Sequence, residues 1–415
     1  MEQGLESIQA MNGQTERRGL ERNLGNTLAL GFFQVFLVFL PIAVPFFQSK
    51  GLDMQQVFLL QAIFGAVVMI TEVPSGYAAD LLGRKPTLVV GAFIAGIGHT
   101  LLVFADGFLG LALFEIALGV SASLISGTDL ALLYDSEAAL ERPEEEQRKV
   151  VGRLYGIRTT SEAASAVLCS VLLLWSMDTV IYVQAAVGWI PLLLAVRLVE
   201  PPVVRLEQTG HLENIGRICR HMMQDSVVLR LTFLALCFWS LTTFYAVWLI
   251  QQLWQDQGIE LGLFGYLWAL LTAVAAVGGR WAHVVEARIG TSAVLVLMGI
   301  LPALGYLGLD LLGPVGAFLA SASFFLARGV GLVVLRDALN RRVPGSFRAT
   351  ANSLASFGFR GAFVLTGPVV GHGLDLWGMS TMLWLLAGAT LVIFAGIILP
   401  LVAAARAHRV MAGAA

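Results

Sequence analysis

The chain has 415 residues, 57% of them hydrophobic and 13% charged, with a mean hydropathy of +0.78. Soluble domains carry about 25% charged residues, and here the deficit runs along the whole length, which excludes a soluble globular protein and specifies a polytopic membrane protein. The net charge of −2 offers no basic face to nucleic acid, and three cysteines, Cys169, Cys219 and Cys237, make no disulfide framework.

Residues 1–24 are polar, carry Arg17, Arg18 and Arg22, and read as a cytoplasmic segment without a cleavable signal peptide. A membrane-spanning helix needs about 20 apolar residues, and twelve stretches meet that length, at roughly 26–47, 54–79, 86–105, 108–134, 150–175, 178–199, 228–250, 260–283, 290–309, 314–337, 347–372 and 378–404. The fold class expected is therefore all-α. Its two six-helix halves span 25–199 and 228–405, separated by a cytoplasmic linker at 200–227 and followed by a cytoplasmic tail at 406–415. Within the linker, Ile215, Ile218, Cys219, Met222 and Met223 recur at helical spacing, as in a surface helix lying on the inner leaflet. A regulatory binding helix is the alternative.

Lys and Arg set the orientation. Of 26, Lys50 alone falls in a loop assigned to the outside, and Arg158, Arg328 and Arg360 fall inside membrane runs. The others lie in the termini, in alternate loops or at helix ends on that same side. Both termini are expected in the cytoplasm, with very short outer loops.

Between the second and third stretches the chain reads Gly76, Asp80, Gly83, Arg84 and Lys85 in the pattern G-x-x-x-D-x-x-G-R-K. Gly83 permits a tight turn, Pro86 suits a first helical turn, and the two basic residues fit the cytoplasmic boundary. This pattern resembles the signature loop of the major facilitator superfamily. The resemblance covers about residues 25–405 and implies parallel six-helix halves around a central site that work by alternating access. It also implies that Asp80 and Arg84 form a cytoplasmic latch, joined by an acidic residue near the end of helix 4, for which Asp129 and Asp135 are the candidates. A weak repeat of the loop follows the eighth stretch, where Gly279 matches Gly76 and Arg288 matches Lys85.

Ionisable residues at membrane depth are candidates for function by default. Here they are Glu72, Glu115, Asp129, Arg158, Glu162, Arg328 and Arg360. Arg158 and Glu162, four apart, share a helix face and can pair. Glu162 is assigned as the proton carrier, with Arg360 facing it from the equivalent helix of the other half; a permanent structural bridge is the alternative. Glu72, two residues before Pro74, is the second proton-site candidate, its alternative being a hydrogen bond at a proline bend. Glu115 is the third. Arg328 either binds an anionic group or pairs with Asp337 or a helix-4 carboxylate.

Helix 1 is rich in phenylalanine around Gln34 and Phe36, and helix 7 carries Tyr245 and Trp248, so these residues together with Arg158, Arg328 and Arg360 are the candidate substrate contacts. Such a lining suits a small amphipathic solute. The function expected is a proton-coupled secondary transporter exporting such a compound across a bacterial inner membrane, as a monomer in the lipid bilayer. Its partners are that small molecule and protons, with the proton gradient as energy source and no cofactor, metal or nucleic acid. Relatives that export drugs carry an Arg on helix 4, which is missing between Leu109 and Leu133. Import of an organic anion or metal-chelating metabolite, and a non-transporting sensor, are the other readings. No H-E-x-x-H, G-x-S-x-G or Walker-type motif suggests an enzyme.

Overall fold

The computed structural model describes residues 2–202, 220–344 and 347–413, and among them it is helical with no strand. The amphipathic linker pattern at Ile215, Ile218 and Cys219 lies outside the described residues; beyond it, Met222 is buried and Met223 exposed. In chain order the helices are α1 (Glu2–Gln34), α2 (Ala43–Ser49), α3 (Met54–Leu82), α4 (Arg84–Phe104), α5 (Gly107–Ile125), α6 (Thr128–Ala139), α7 (Glu144–Leu172), α8 (Met177–Val187) and α9 (Ile190–Val196). After the linker come α10 (Val227–Leu234), α11 (Ser240–Asp256), α12 (Phe264–Ile289), α13 (Thr291–Leu311), α14 (Pro314–Arg342), α15 (Arg348–Ile393) and α16 (Leu399–Gly413).

Nine helical spans among the described residues are long and apolar enough to cross a membrane. They differ from the twelve expected for physical reasons. The eleventh and twelfth stretches run together as one span, Thr350–Ala407, broken in backbone conformation only at Gly378. The fifth, α7, is a helix whose charged residues lower its hydropathy. The first does not run unbroken from 26 to 47: α1 stops at Gln34, and the chain resumes as a short helical turn at Leu40–Ile42 and then α2.

The chain divides into two compact units. Unit 1 comprises Met1–Pro41 and Ala66–Glu207, and unit 2 comprises Ile42–Gly65 and Gln208–Ala415. Buried Leu30, Leu88, Ala92, Ile125, Leu132, Ala195 and Leu198 bring α1, α4, α6 and α9 together in unit 1. In unit 2 the buried cluster gathers Leu229 and Trp239 with Val294, Leu335 and Ile398. Large apolar side chains such as Phe104 and Val392 remain exposed on the outer faces. Lipid is as apolar as leucine, so helices in a membrane associate by close packing and have no need to hide such faces.

One detail departs from expectation. The repeat equates Glu286 with Gly83, yet α12 runs on through it and the turn falls at Gly290, which has the positive φ of 82°. Asp337 pairs with Arg341 at 2.8 Å, one turn further along α14.

Candidate coupling site where two helices are interrupted

Breaks in a membrane helix free backbone groups that lipid cannot satisfy, so they persist only where protein supplies partners. At the end of α1 those partners are present. Val38 N–H donates to Gln184 Oε1 at 2.6 Å, and the Phe32 carbonyl accepts from the Ser161 hydroxyl at 2.5 Å. Gln184 is buried, with its Nε2 3.5 Å from Nδ1 of buried His99. Phe32, Phe33 and Phe36 pack on one another beside the break, with ring centroids 5.1–5.8 Å apart. The sequence signal was weak because residues 35–40 are themselves apolar, so hydropathy runs straight through the interruption.

The second break separates α5 from α6 at Ser126 and Gly127. Gly127 has φ +82°, a conformation that side-chain-bearing residues rarely adopt, and it serves as the N-cap of α6. Asp129 is the second residue of the new helix and is 1% exposed. Its Oδ1 accepts from Leu130 N–H at 2.7 Å, and its Oδ2 accepts from Arg158 Nη2. The same Nη2 donates to Gln34 Oε1, the last residue of α1, at 3.1 Å. One guanidinium thus ties the end of one interrupted helix to the start of another. Arg158 Nε, also buried, has no hydrogen-bond partner.

Electrostatically, the carboxylate sits where two positive influences meet: Arg158, and the free N–H groups and dipole of the α6 N-terminus. Asp129 was expected at the latch, and the structure moves it here. Asp129 and Asp135 are six residues apart on α6, about 9 Å along its axis and about 240° around it, so they cannot serve one partner. Glu162 lies one turn beyond Arg158 on α7 and is exposed.

The residues expected to form the latch meet within unit 1. Arg84 Nη1 meets Asp80 Oδ1 at 2.5 Å and Arg84 Nε meets Asp135 Oδ2 at 3.4 Å. Gly83 has φ +109°, as the tight turn requires. Glu200 was not anticipated here. Its carboxylate accepts from the backbone N–H of Arg84 at 2.7 Å and of Lys85 at 2.6 Å, supplying the anion at the start of α4. Asn23, fully buried, holds the neighbouring backbone: Nδ2 donates to the Val199 carbonyl at 2.7 Å and to Ser136 Oγ at 2.9 Å, and Oδ1 accepts from Val199 N–H at 2.9 Å. Gly76 is exposed on α3.

Elsewhere in unit 1, Glu72 is half-buried on α3, which runs as helix through Pro74, and its carbonyl accepts from Ser75 Oγ at 2.9 Å. Glu115 is buried on α5. In unit 2, the Tyr245 hydroxyl is 2.5 Å from Thr366 Oγ1, within an aromatic group that includes Phe58, Phe244 and Phe363. Trp248 is buried beside Phe244, and its indole N–H is unpartnered. Just before α11, a wide π turn at Ala235–Trp239 distorts the helix, a feature common near functional sites. Arg360 donates to Ser356 Oγ at 2.8 Å, and Arg328 is half-buried on α14.

The Major Facilitator Superfamily profile matches residues 24–340, three quarters of the chain. The chain belongs to this superfamily. Among similar proteins, YxaM of Bacillus subtilis (strain 168), described as an uncharacterized MFS-type transporter, is 25% identical over 86% of this chain and 88% of its own length. An uncharacterized transporter of Buchnera aphidicola subsp. Schizaphis graminum is 35% identical, over only 19% of each chain. Among solved structures, a bacterial homolog of the human lysosomal transporter Spinster superposes with a TM-score of 0.73 at 14% identity, covering 92% of this chain and 96% of that one. The nucleoside transporter NupG gives 0.70 at 13% identity, covering 91% and 98%. A D-xylose-proton symporter gives 0.65 at 15%, covering 91% and 97%. At these identities the structures attest to the fold. This superfamily member is a multi-pass membrane protein and a secondary transporter, not an enzyme.

Proposed function

We propose that this transporter is proton-coupled, that it moves a small amphipathic solute by alternating access, and that Asp129 with Arg158 is the coupling pair. The observation that carries this reading is the ion pair of buried Asp129 with half-buried Arg158 at the meeting of two interrupted helices. Charges at membrane depth are costly and mark ion and substrate pathways, and interrupted helices are a recurrent way to build such sites in secondary transporters. Protonating Asp129 removes its charge, weakens its bond with Arg158 and so loosens α1 from α6, which links proton binding to a change of backbone packing.

Glu162, Glu72 and Glu115 are the reserve proton sites, and Arg158, Arg328, Arg360, Gln34, Phe36, Tyr245 and Trp248 are the proposed substrate contacts. The setting proposed is a bacterial inner membrane with both termini in the cytoplasm, the protein acting as a monomer on the proton gradient without a cofactor. Two directions are compatible with coupling at one pair. Export requires proton and solute to exclude each other at the site, and uptake requires them to bind together.

The test is proton movement in energised inside-out membrane vesicles. A pH-sensitive dye reports while lipophilic cations, drugs, organic acids and chelators are added in turn. A solute-dependent signal that vanishes in Asp129→Asn and persists in Glu162→Gln supports the assignment. A signal that persists in Asp129→Asn and vanishes in Glu162→Gln returns the coupling role to Glu162.

A further inference from the structure

Where α1 stops, its next turn loses a partner. In an unbroken helix the Val38 N–H would donate to the Gln34 carbonyl, four residues back; here it donates to Gln184 Oε1 on α8 at 2.6 Å. A backbone N–H only donates, so it fixes the Gln184 amide, with the oxygen toward Val38 and the NH2 group toward His99. Nε2 of Gln184 and Nδ1 of His99 are 3.5 Å apart, and a donor on that side makes Nδ1 an acceptor. This arrangement needs a neutral imidazole with its proton on Nε2. The ring is closely held. It is 5% exposed, the Phe114 ring lies 6.1 Å from it, and a Cβ added at Gly188, one turn after Gln184, would come within 2.5 Å of its Cδ2. Phe114 also packs edge-on against Phe39, with centroids 5.6 Å apart, so His99 backs the interrupted segment by a second route.

We infer that Gln184 and His99 are positioning residues for the α1 break, that they hold Val38 only while His99 is neutral, and that a proton on His99 releases it. Protonated histidine carries a hydrogen on each ring nitrogen. Its Nδ1–H would point at the Gln184 NH2 group, donor against donor. Turning the amide over relieves that contact but sets the NH2 group against the Val38 N–H, again donor against donor. One hydrogen bond is given up whichever way the amide lies, and a buried group left unpaired is costly. The released segment adjoins Gln34, which accepts from Arg158 at 3.1 Å. Release therefore loosens the end of α1 at the Asp129–Arg158 pair; this last step rests on the coupling assignment above.

The elements packed on α4 carry few ionisable groups near His99. α5 meets it through Phe114 and has one such residue, Glu115, buried and next in sequence. α8 carries Asp178 and Tyr182, both exposed, and α9 has none. α6 reaches α4 at Arg84, which meets Asp135, while its Asp129 and Glu137 pair with Arg158 and Arg142 and its Tyr134 is exposed. On α4 itself, Lys85 is about 21 Å of helix from His99. On α1 the last charged residue is Arg22, and residues 35–41 have none. Glu115 therefore enters the test as its control.

The test uses the full-length protein in lipid nanodiscs. Magnetic resonance of isotope-labelled histidine rings, with the His99 signal assigned by its loss in His99→Asn, is expected to show the Nε2–H tautomer at neutral pH. Hydrogen exchange at the Val38 amide, corrected for the intrinsic pH dependence of exchange, should lose about tenfold in protection as His99 takes up its proton, the equivalent of one hydrogen bond. In His99→Asn an amide oxygen replaces Nδ1 as acceptor, so protection should persist and no longer follow pH. Gln184→Glu should remove or reverse the acid loss, because a carboxylate accepts from Val38 and from a protonated imidazole together. Glu115→Gln should leave the wild-type response in place. The inference is overturned by an Nδ1–H tautomer or a charged His99 at neutral pH, by an acid loss that survives in His99→Asn, or by one that vanishes in Glu115→Gln. Should Gln184→Glu fail to fold, the wild type and His99→Asn still decide. If these arms fail while Asp129→Asn abolishes solute-driven proton flux, the coupling assignment stands without the switch. If they hold while Asp129→Asn leaves that flux intact, the switch stands and the coupling assignment falls.

Discussion

The carboxylate of Asp375 accepts a hydrogen bond from the backbone N–H of Gln55 at 2.7 Å, and a second from Met54 at 3.2 Å. These are two of the free N–H groups at the start of α3. The third is met locally by a reciprocal capping box, with Gln56 N–H donating to Asp53 Oδ1 at 2.8 Å and Asp53 N–H donating to Gln56 Oε1 at 3.2 Å. Around them, Gln55 Oε1 lies 2.9 Å from His372 Nδ1, and Gln251 Oε1 accepts from Val44 N–H at 3.0 Å. This polar zipper binds residues 42–65 to the rest of unit 2. Asp375→Ala is expected to cost about 1 kcal/mol, comparable to the loss of a helix cap, and to speed hydrogen exchange at the Met54 and Gln55 amides. Unchanged exchange at both amides would count against the capping role.

Asn23 makes three hydrogen bonds with a fully buried side chain. Asn23→Ala leaves the Val199 N–H and carbonyl without their partner, at about 1–3 kcal/mol for each buried group left unsatisfied. Glu200→Gln should cost less, about 0.5–1 kcal/mol, because Glu200 is exposed and its bonds to the α4 N-terminus are screened by water. Thermal unfolding of the purified variants checks the order. A larger loss in Glu200→Gln than in Asn23→Ala would contradict it.

The parts of this protein that local sequence spells out were legible: the helical, membrane-spanning class, the Gly83 turn, and the Asp80–Arg84 contact, which joins residues four apart. Asp135 was one of two named partners for Arg84. What remained hidden depends on contacts distant in sequence or on breaks within apolar runs. Asp129 was a candidate for the latch because it lies near the end of the fourth stretch, although the helix turns it to another face than Asp135. Asp375 meets Gln55 across 320 residues, and neither residue stands in a recognisable motif. Gln184 supports the α1 break from 146 residues away. A lone buried glutamine in an apolar stretch was the one available sign, since a polar side chain at that depth must have a partner.

Gly127 allows the chain to restart as α6 with Asp129 in its first turn. At φ +82° an L side chain adds strain, so Gly127→Ala is expected to lower stability by about 1–2 kcal/mol. Its effect on solute-driven proton flux should exceed that of Gly76→Ala, because Gly76 is exposed within helical α3 with nothing near the position of an added Cβ. Vesicle dye assays on the two variants at matched expression make the comparison, and equal fluxes would show that the break is not needed for coupling.

The Asp129–Arg158 pair offers a sharper test of burial. Arg158→Gln leaves the Asp129 charge buried alone, which costs about 3–5 kcal/mol, whereas removing both charges together can be far less damaging. Arg158→Gln should therefore destabilise strongly, Asp129→Asn less because the guanidinium it leaves is partly exposed, and the double variant by clearly less than their sum, with a coupling of about 1–3 kcal/mol. Glu162→Gln combined with Arg158→Gln provides the contrast. Since Glu162 is exposed, its coupling to Arg158 should stay below about 1 kcal/mol. Denaturant unfolding of the five single and double variants gives both cycles from one data set. A stronger coupling for Glu162 than for Asp129 would mean that Arg158 spends its charge on the exposed carboxylate, and that the ion pair at the two helix breaks is not what holds α1 to α6.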